Sequence, residues 1–181
     1  MQKLKIGVLA YRMDYYSNLR IIVNKLPEVE YVPVKDIFTF RRALALKLNR
    51  VIGKPLFQTF DLNNQFEDFD LNKVDLCHFS NGISYGKKPW VSHFETILPR
   101  FSELLNQAKE THWQNMQPGR LTLKGLDALR SPSCKQIIAW SENAANFERK
   151  FLSEISSEYS EPILAKLRVL HPAQEMLVES V

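Results

Sequence analysis

Short apolar runs alternate with longer segments of helical periodicity along this 181-residue chain. Apolar runs of about four to eight residues between turn residues are typical of strands, and strands that alternate with helices favour a parallel sheet. The runs lie at residues 5–10, 29–34, 74–79, 90–94, 134–140 and 167–170. The pattern predicts an α/β fold: a Rossmann-like, doubly wound parallel sheet flanked by helices.

Helices are predicted between these runs from apolar spacing and from capping residues. The predicted segments are residues 17–26, 37–52, 101–109, 121–129 and 141–155. Ser17 or Asn18 can cap the first and Ser141 the last, because a side-chain oxygen there accepts from a free first-turn amide. Residues 56–71 show no clear period, which predicts a connection with a short strand, and residues 113–119 are predicted to break the helical pattern.

Composition indicates one ordinary domain and excludes several classes of protein. The net charge is +4, and no apolar run approaches the roughly 20 residues of a membrane span. Because no signal-peptide pattern follows Met1, we expect a cytoplasmic protein. Cys77 and Cys134 lie in apolar runs, which predicts buried free thiols. The histidine spacing favours no metal site, and the dispersed basic residues favour no nucleic-acid partner.

The segment Ile37–Ile52 is a basic amphipathic helix with two interpretations. The favoured one packs its apolar stripe against the sheet, as α/β helices do. The other is a peripheral contact with an anionic membrane surface, such as the inner membrane, through the same stripe and its basic neighbours. The stripe comprises Ile37, Phe40, Leu44, Leu48 and Val51, and the basic residues off it are Arg41, Arg42, Lys47 and Arg50.

Polar residues follow the third and fourth apolar runs at the point where each ends. Ligands collect beyond the carboxyl ends of parallel strands, so these residues predict a site. Ser80, Asn81 and Gly82 follow the first of these runs and Glu95 follows the second, and His78 lies within the first run close to its end. Arg100 follows closely, and its planar fork suits phosphate or carboxylate.

Four stretches of the chain resemble, in order and spacing, the N-terminal domain of a GT-B fold glycosyltransferase of retaining family 4. Residues 74–80, VDLCHFS, resemble the family strand DVVHVH, and residues 89–95, PWVSHFE, resemble PVVTVHD. Residues 134–142, CKQIIAWSE, resemble the strand and helix cap IIAVSE. Residues 166–172, KLRVLHP, resemble the strand that enters the interdomain hinge.

The resemblance implies site residues on the acceptor side of an interdomain cleft. The family's acidic residue aligns with Glu95, which makes Glu95 the expected catalytic residue. The family's cleft histidine aligns with Phe94, whereas His93 falls one position early and is expected on the opposite face of the strand. The implied acceptor-binding residues are His78, Ser80, Asn81, Gly82 and Arg100, and Ser141 and Glu142 are implied at a helix terminus that faces donor phosphate.

The resemblance also implies the organisation and partners of the protein. Residues 1–172 would form the acceptor-side domain, and residues 173–181 would begin a hinge to a donor-binding domain beyond this chain. Sugar would pass from a nucleotide-sugar, as co-substrate and without other cofactors, to a glycan or lipid-linked acceptor; the isolated chain is not expected to be active. The alternative left open by the sequence is a stand-alone α/β binding or regulatory module for a small anionic ligand or partner protein.

Overall fold

Six parallel strands form the main sheet in the computed structural model, which describes residues 3–9, 26–109 and 118–172. Their order across the sheet is β2-β1-β4-β6-β7-β8. The strands are β1 (Leu4–Leu9), β2 (Val29–Val34), β4 (Leu76–Ser80), β6 (Trp90–Phe94), β7 (Cys134–Ala139) and β8 (Leu167–Val169). Two short parallel strands, β3 (Gln65–Phe66) and β5 (Ile83–Ser84), pair separately. The predicted α/β class with a parallel, Rossmann-like sheet is confirmed.

Five helices and one 3-10 turn occur among the described residues. The helices are α1 (Ile37–Ile52), α2 (Ser102–Lys109), α3 (Arg120–Arg130), α4 (Glu142–Ser153) and α5 (Ser157–Leu164), and the turn is Asp61–Asn64. Asp36 begins α1, because its carboxylate accepts a hydrogen bond from the Thr39 amide at 2.8 Å. Gly53 ends it in the left-handed conformation, with φ of 72°, which glycine adopts without steric penalty.

The strand order reverses direction next to β1. β2 lies on one side of β1, and β4 and the later strands extend from the other side. In open parallel sheets such a reversal leaves a crevice beyond the carboxyl ends of the strands at that point. The topology therefore places the likeliest ligand position of this fold at the carboxyl edge near β1 and β4.

The main core lies on one face of the sheet. Side chains alternate between faces along a strand, and this core contains alternate residues of β4 and of the second half of β7, together with the first and last residues of β6. Cys77 and Cys134 are among the buried residues and form no disulfide, as predicted, and burial raises the pKa of each thiol to about 12. The core joins Phe79, Trp90, Phe94, Ile137 and Ala139 of the strands to Leu104, Leu126, Leu129, Phe151, Leu152 and Ile163 of the helices.

Several predicted boundaries match the structure, and two elements were not predicted. β2, β6 and α1 have the expected limits, and a short strand, β3, lies within the connection at 56–71. The predicted helix at 17–26 and most of the break at 113–119 fall outside the described residues, as does the hinge at 173–181. No sequence signal predicted the two-residue strand β5, or α5, which is mostly polar and contains Pro162.

The favoured interpretation of α1 was wrong about which side of the helix is buried. Phe38 and Ala45 face the protein interior, whereas the predicted stripe is largely exposed to solvent. Phe40 is 64% exposed and Val51 is 78% exposed. The apolar residues of α1 extend over more than one side of the helix, so periodicity alone could not identify the packed side.

A buried carboxyl group lies behind the loop that follows β6. Glu148 of α4 accepts a hydrogen bond from the Leu98 amide at 2.9 Å, and its other oxygen has no hydrogen-bond partner within the described chain. Burial raises the pKa of Glu148 to about 8. This group is therefore mostly protonated in the folded protein at neutral pH.

Among the described residues, no helix has the length and apolar character that crossing a membrane would require.

Candidate functional site

The polar residues predicted from strand ends do meet at one edge of the sheet. Because all six strands are parallel, the chain leaves each of them at the same edge. It leaves β4 through Ser80 to Gly82, β6 through Glu95, and β7 through Trp140 and Ser141. We call this the carboxyl edge. It is the side on which open parallel sheets with such a reversal of strand order bind their ligands.

Asn81 connects the ends of β4 and β6. Its backbone amide donates to the His93 carbonyl at 2.7 Å, and its side-chain oxygen accepts from the Glu95 amide at 3.4 Å. Asn81 is fully buried and has φ of 55°, a conformation that asparagine tolerates better than most residues. Asn81 therefore fixes the two turns relative to each other.

Ser80 and Gly82 flank Asn81, and both are buried. The Ser80 hydroxyl has no hydrogen-bond partner in the part of the chain that the structure describes. A buried hydroxyl without a partner is unfavourable, so Ser80 has a donor and an acceptor that a bound polar group could satisfy. Gly82 lies directly above Phe79, and a side chain there would contact the Phe79 Cβ at 3.2 Å.

Two histidines and a tryptophan form a cluster on the face opposite the main core. His78 Nε2 lies 3.1 Å from His93 Nδ1, and the His93 ring stacks on Trp140 with centroids 4.6 Å apart. Tyr31 of β2 lies against His78, with ring centroids 6.4 Å apart. We call His78, His93 and Trp140 the imidazole cluster.

The His78 ring of the imidazole cluster is uncharged at neutral pH. Burial lowers the pKa of His78 to about 4, so its ring has one N–H and one acceptor nitrogen at pH 7. One ring must donate and the other accept across the 3.1 Å contact, which couples the tautomers of His78 and His93. A neutral His78 ring can hydrogen-bond hydroxyl groups without attracting anions.

Glu95 is an exposed carboxylate at the carboxyl edge. Its side chain reaches solvent directly after the buried Phe94. Glu103, eight residues later, is engaged elsewhere: it accepts from the Gly119 amide at 2.7 Å and from the Thr122 hydroxyl at 2.5 Å, at the start of α3. The two glutamates therefore have different environments, and only Glu95 lies at a strand end.

Ser141 and Glu142 form the start of α4, as the predicted capping by Ser141 implies. The Ser141 hydroxyl accepts from the Ala144 amide at 3.1 Å and caps the helix. Glu142 is exposed and lies 3.6 Å from Arg149. The helix terminus nevertheless opens at the carboxyl edge, beside Trp140, whose amide donates to the Phe94 carbonyl at 3.0 Å.

Arg100 lies near the 3-10 turn. Its guanidinium lies over the Phe60 ring, 5.9 Å from the centroid, and its carbonyl accepts from Asn64 at 2.8 Å. This arrangement gives Arg100 a packing role against the segment that follows α1.

His93 and Trp140 were not among the predicted site residues. The structure places both on the face that also contains His78 and Ser80, as the alternation of side chains predicts for His93 relative to Phe94. The alternation of side chains along a strand could have indicated this. Phe79 and Phe94 face the buried side of neighbouring strands, so the residues next to them along each strand must face the opposite side of the sheet.

An open cavity of about 550 Å³ lies away from the carboxyl edge. It is bounded by residues before β6 and before β7, at the amino ends of these strands. Lys124 covers the Tyr85 ring there at 3.8 Å from the centroid, and Ser133 accepts from the Trp90 indole at 3.3 Å. None of the predicted site residues borders this cavity.

Comparison of the chain with protein-family models, with curated proteins and with solved structures finds no match.

Proposed function

We propose that this chain is the acceptor-side domain of a nucleotide-sugar-dependent glycosyltransferase of the GT-B type. The observation that carries the proposal is the carboxyl edge, where neutral and acidic hydrogen-bonding groups gather beside a reversal of strand order. Hydroxyl-rich ligands are recognised by such groups, and the resemblance of four stretches to family 4 supplies the reaction class. The partners in this proposal are a nucleotide-sugar donor and a glycan or lipid-linked acceptor.

In this proposal the residues of the edge bind and orient the acceptor. Ser80 and the imidazole cluster would hydrogen-bond acceptor hydroxyls, and Glu95 would accept from the hydroxyl that reacts. The acceptor oxygen bonds to the anomeric carbon, the bond from that carbon to the diphosphate oxygen breaks, and the hydroxyl proton passes to the departing diphosphate. Positioning and electrostatic stabilisation would supply most of the acceleration. The donor would be held mainly by a second domain.

Amide chemical-shift mapping tests the proposal on the chain as it stands. We expect neutral oligosaccharides, added one at a time, to shift the amides of Asn81, Glu95 and Ser141. Glu95→Ala should weaken this binding about tenfold, since a hydrogen bond to a charged group contributes about 1.5–3 kcal/mol. Glu154→Ala is the matched control, because Glu154 is exposed at the far end of α4.

The outcomes separate this proposal from its competitors. Shifts confined to residues that border the 550 Å³ cavity, such as Tyr85 and Ser133, would contradict an acceptor site at the carboxyl edge. Shifts at the edge with inorganic pyrophosphate but with no sugar would instead favour the second candidate, a binding module for a small anionic ligand. The exposed start of α4 and the net charge of +4 favour that candidate.

A further inference from the structure

Apolar side chains are unusually exposed on α1 and on the segment that follows it. Within residues 37–60, nine large apolar side chains are exposed: Phe40, Leu44, Leu46, Leu48, Val51, Ile52, Leu56, Phe57 and Phe60. We call residues 37–60 the α1 surface. A contiguous exposed apolar patch on a small domain marks a contact with another molecule or with a membrane.

The exposed stripe lies on a different side of α1 from the residues that hold the helix to the protein. Phe38 and Ala45 are the buried residues of α1. At 100° per residue, Leu44, Leu48 and Val51 are centred about a third of a turn away from them. The stripe can therefore contact an outside partner without disturbing the packing of α1.

The following segment is fixed against α1, so the apolar surface has a defined shape. The Asn49 side-chain amide donates to the Phe57 carbonyl at 2.8 Å, and the Phe57 amide donates to Asn49 Oδ1 at 2.9 Å. A groove of about 400 Å³ lies between α1 and this segment. It is lined by Leu44, Leu48, Leu56, Phe57 and Leu62, with Arg41 at its border.

The charge of the α1 surface has one sign. Residues 37–60 contain five basic side chains and no acidic one, whereas the whole chain carries +4, so the remaining residues carry −1. Arg41, Lys47, Arg50 and Lys54 are all exposed. A purely apolar partner surface would leave these charges uncompensated, and an acidic soluble partner would leave the apolar stripe in water.

We propose that the α1 surface docks on an anionic phospholipid membrane. Phe40, Leu44, Val51 and Phe57 would enter the boundary between headgroups and acyl chains, while the basic residues contact headgroup phosphates. Amphipathic helices with basic polar sides bind membranes in this way, and their affinity increases with both buried apolar area and charge. The inference is independent of the proposed transferase function, because it involves no residue of the carboxyl edge.

Co-sedimentation with lipid vesicles tests the inference. We expect the full chain to bind equimolar phosphatidylcholine and phosphatidylglycerol vesicles and not to bind phosphatidylcholine alone. The triple change Arg41→Gln, Lys47→Gln and Arg50→Gln should weaken binding about a hundredfold, because the loss of each charge should weaken it about fivefold. The matched control is Lys87→Gln, Lys135→Gln and Lys150→Gln, which removes three exposed charges from other surfaces.

A second variant tests the apolar part of the contact. Leu44→Gln with Val51→Gln keeps the charge and good helix formers, and circular dichroism checks that the fold persists. This double change should weaken vesicle binding at least tenfold. Equal effects of the two triple variants would overturn the inference, because binding would then follow net charge alone. Absence of vesicle binding together with a dimer in light scattering would overturn it in favour of a second copy of this chain.

Discussion

At the scale of single residues, the chemistry of this chain depends on which face of a strand each side chain occupies. The sequence predicted polar strand ends correctly, because Ser80, Asn81 and Glu95 gather at one edge of the sheet. It did not predict the hydrogen bond between His78 and His93, which are fifteen residues apart. That contact depends on the register of two neighbouring strands, in which Ser80 lies opposite His93, and local pattern does not encode register.

Glu148 gives a residue-scale prediction about pH. Its pKa is raised by burial from 4.5 to about 8, so the folded state binds a proton that the unfolded state releases. The contribution of Glu148 to the free energy of unfolding is fully present below pH 4.5, and it is lost as the pH rises towards 8. Between pH 6.5 and 8 the free energy of unfolding should fall by about 1.4 kcal/mol per pH unit, measured by urea denaturation.

The substitution Glu148→Gln separates this effect from other titrating groups. Glutamine keeps an acceptor for the Leu98 amide and does not ionise, so the variant should have a nearly flat profile over the same range. The pKa of His78 is lowered by burial to about 4, so the contribution of this residue to stability is lost only as the pH falls below 6.5. Parallel profiles for the two proteins above pH 6.5 would contradict the assignment to Glu148.

At the scale of elements, the sequence located α1 to the residue but not its buried side. Capping by Asp36 and Gly53 is a local signal, which explains the accurate limits. Burial of Phe38 and Ala45 is decided by tertiary packing against the rest of the fold. The contact of Glu103 was not predicted for the same reason, because its carboxylate caps α3, a helix that begins seventeen residues later.

Asn49 gives an element-scale prediction about how α1 holds the next segment. Asn49→Ala removes both hydrogen bonds to Phe57 and should destabilise the protein by about 1 kcal/mol, since these groups are near water. Hydrogen exchange of the Phe57 amide should become faster. Asn49→Asp is the control: it keeps the acceptor for that amide and should preserve most of its protection. Equal exchange in both variants would show that another contact holds Phe57.

At the scale of the whole molecule, topology and charge separate two regions that could act at the same time. The carboxyl edge follows from the parallel direction of the strands, which the alternating pattern of the sequence predicted; the order of the strands across the sheet was not predicted. The α1 surface follows from a charge distribution in which residues 37–60 carry +5 and the remainder −1. A ligand at the carboxyl edge and a membrane at α1 would contact different residues, so the two do not compete for the same site.

This separation of charge predicts how vesicle binding responds to salt. The Debye length falls from about 10 Å at 0.1 M salt to about 3 Å at 1 M, so binding through exposed Arg41, Lys47 and Arg50 should weaken more than tenfold over that range. The triple variant of these residues should show a flatter dependence, because only two of the five basic residues of the α1 surface remain in it. The Lys87, Lys135 and Lys150 control should keep the slope of the unmodified chain. Co-sedimentation at several salt concentrations measures all three slopes. Identical slopes for the two triple variants would mean that the field of the whole molecule, rather than the α1 surface, attracts the membrane.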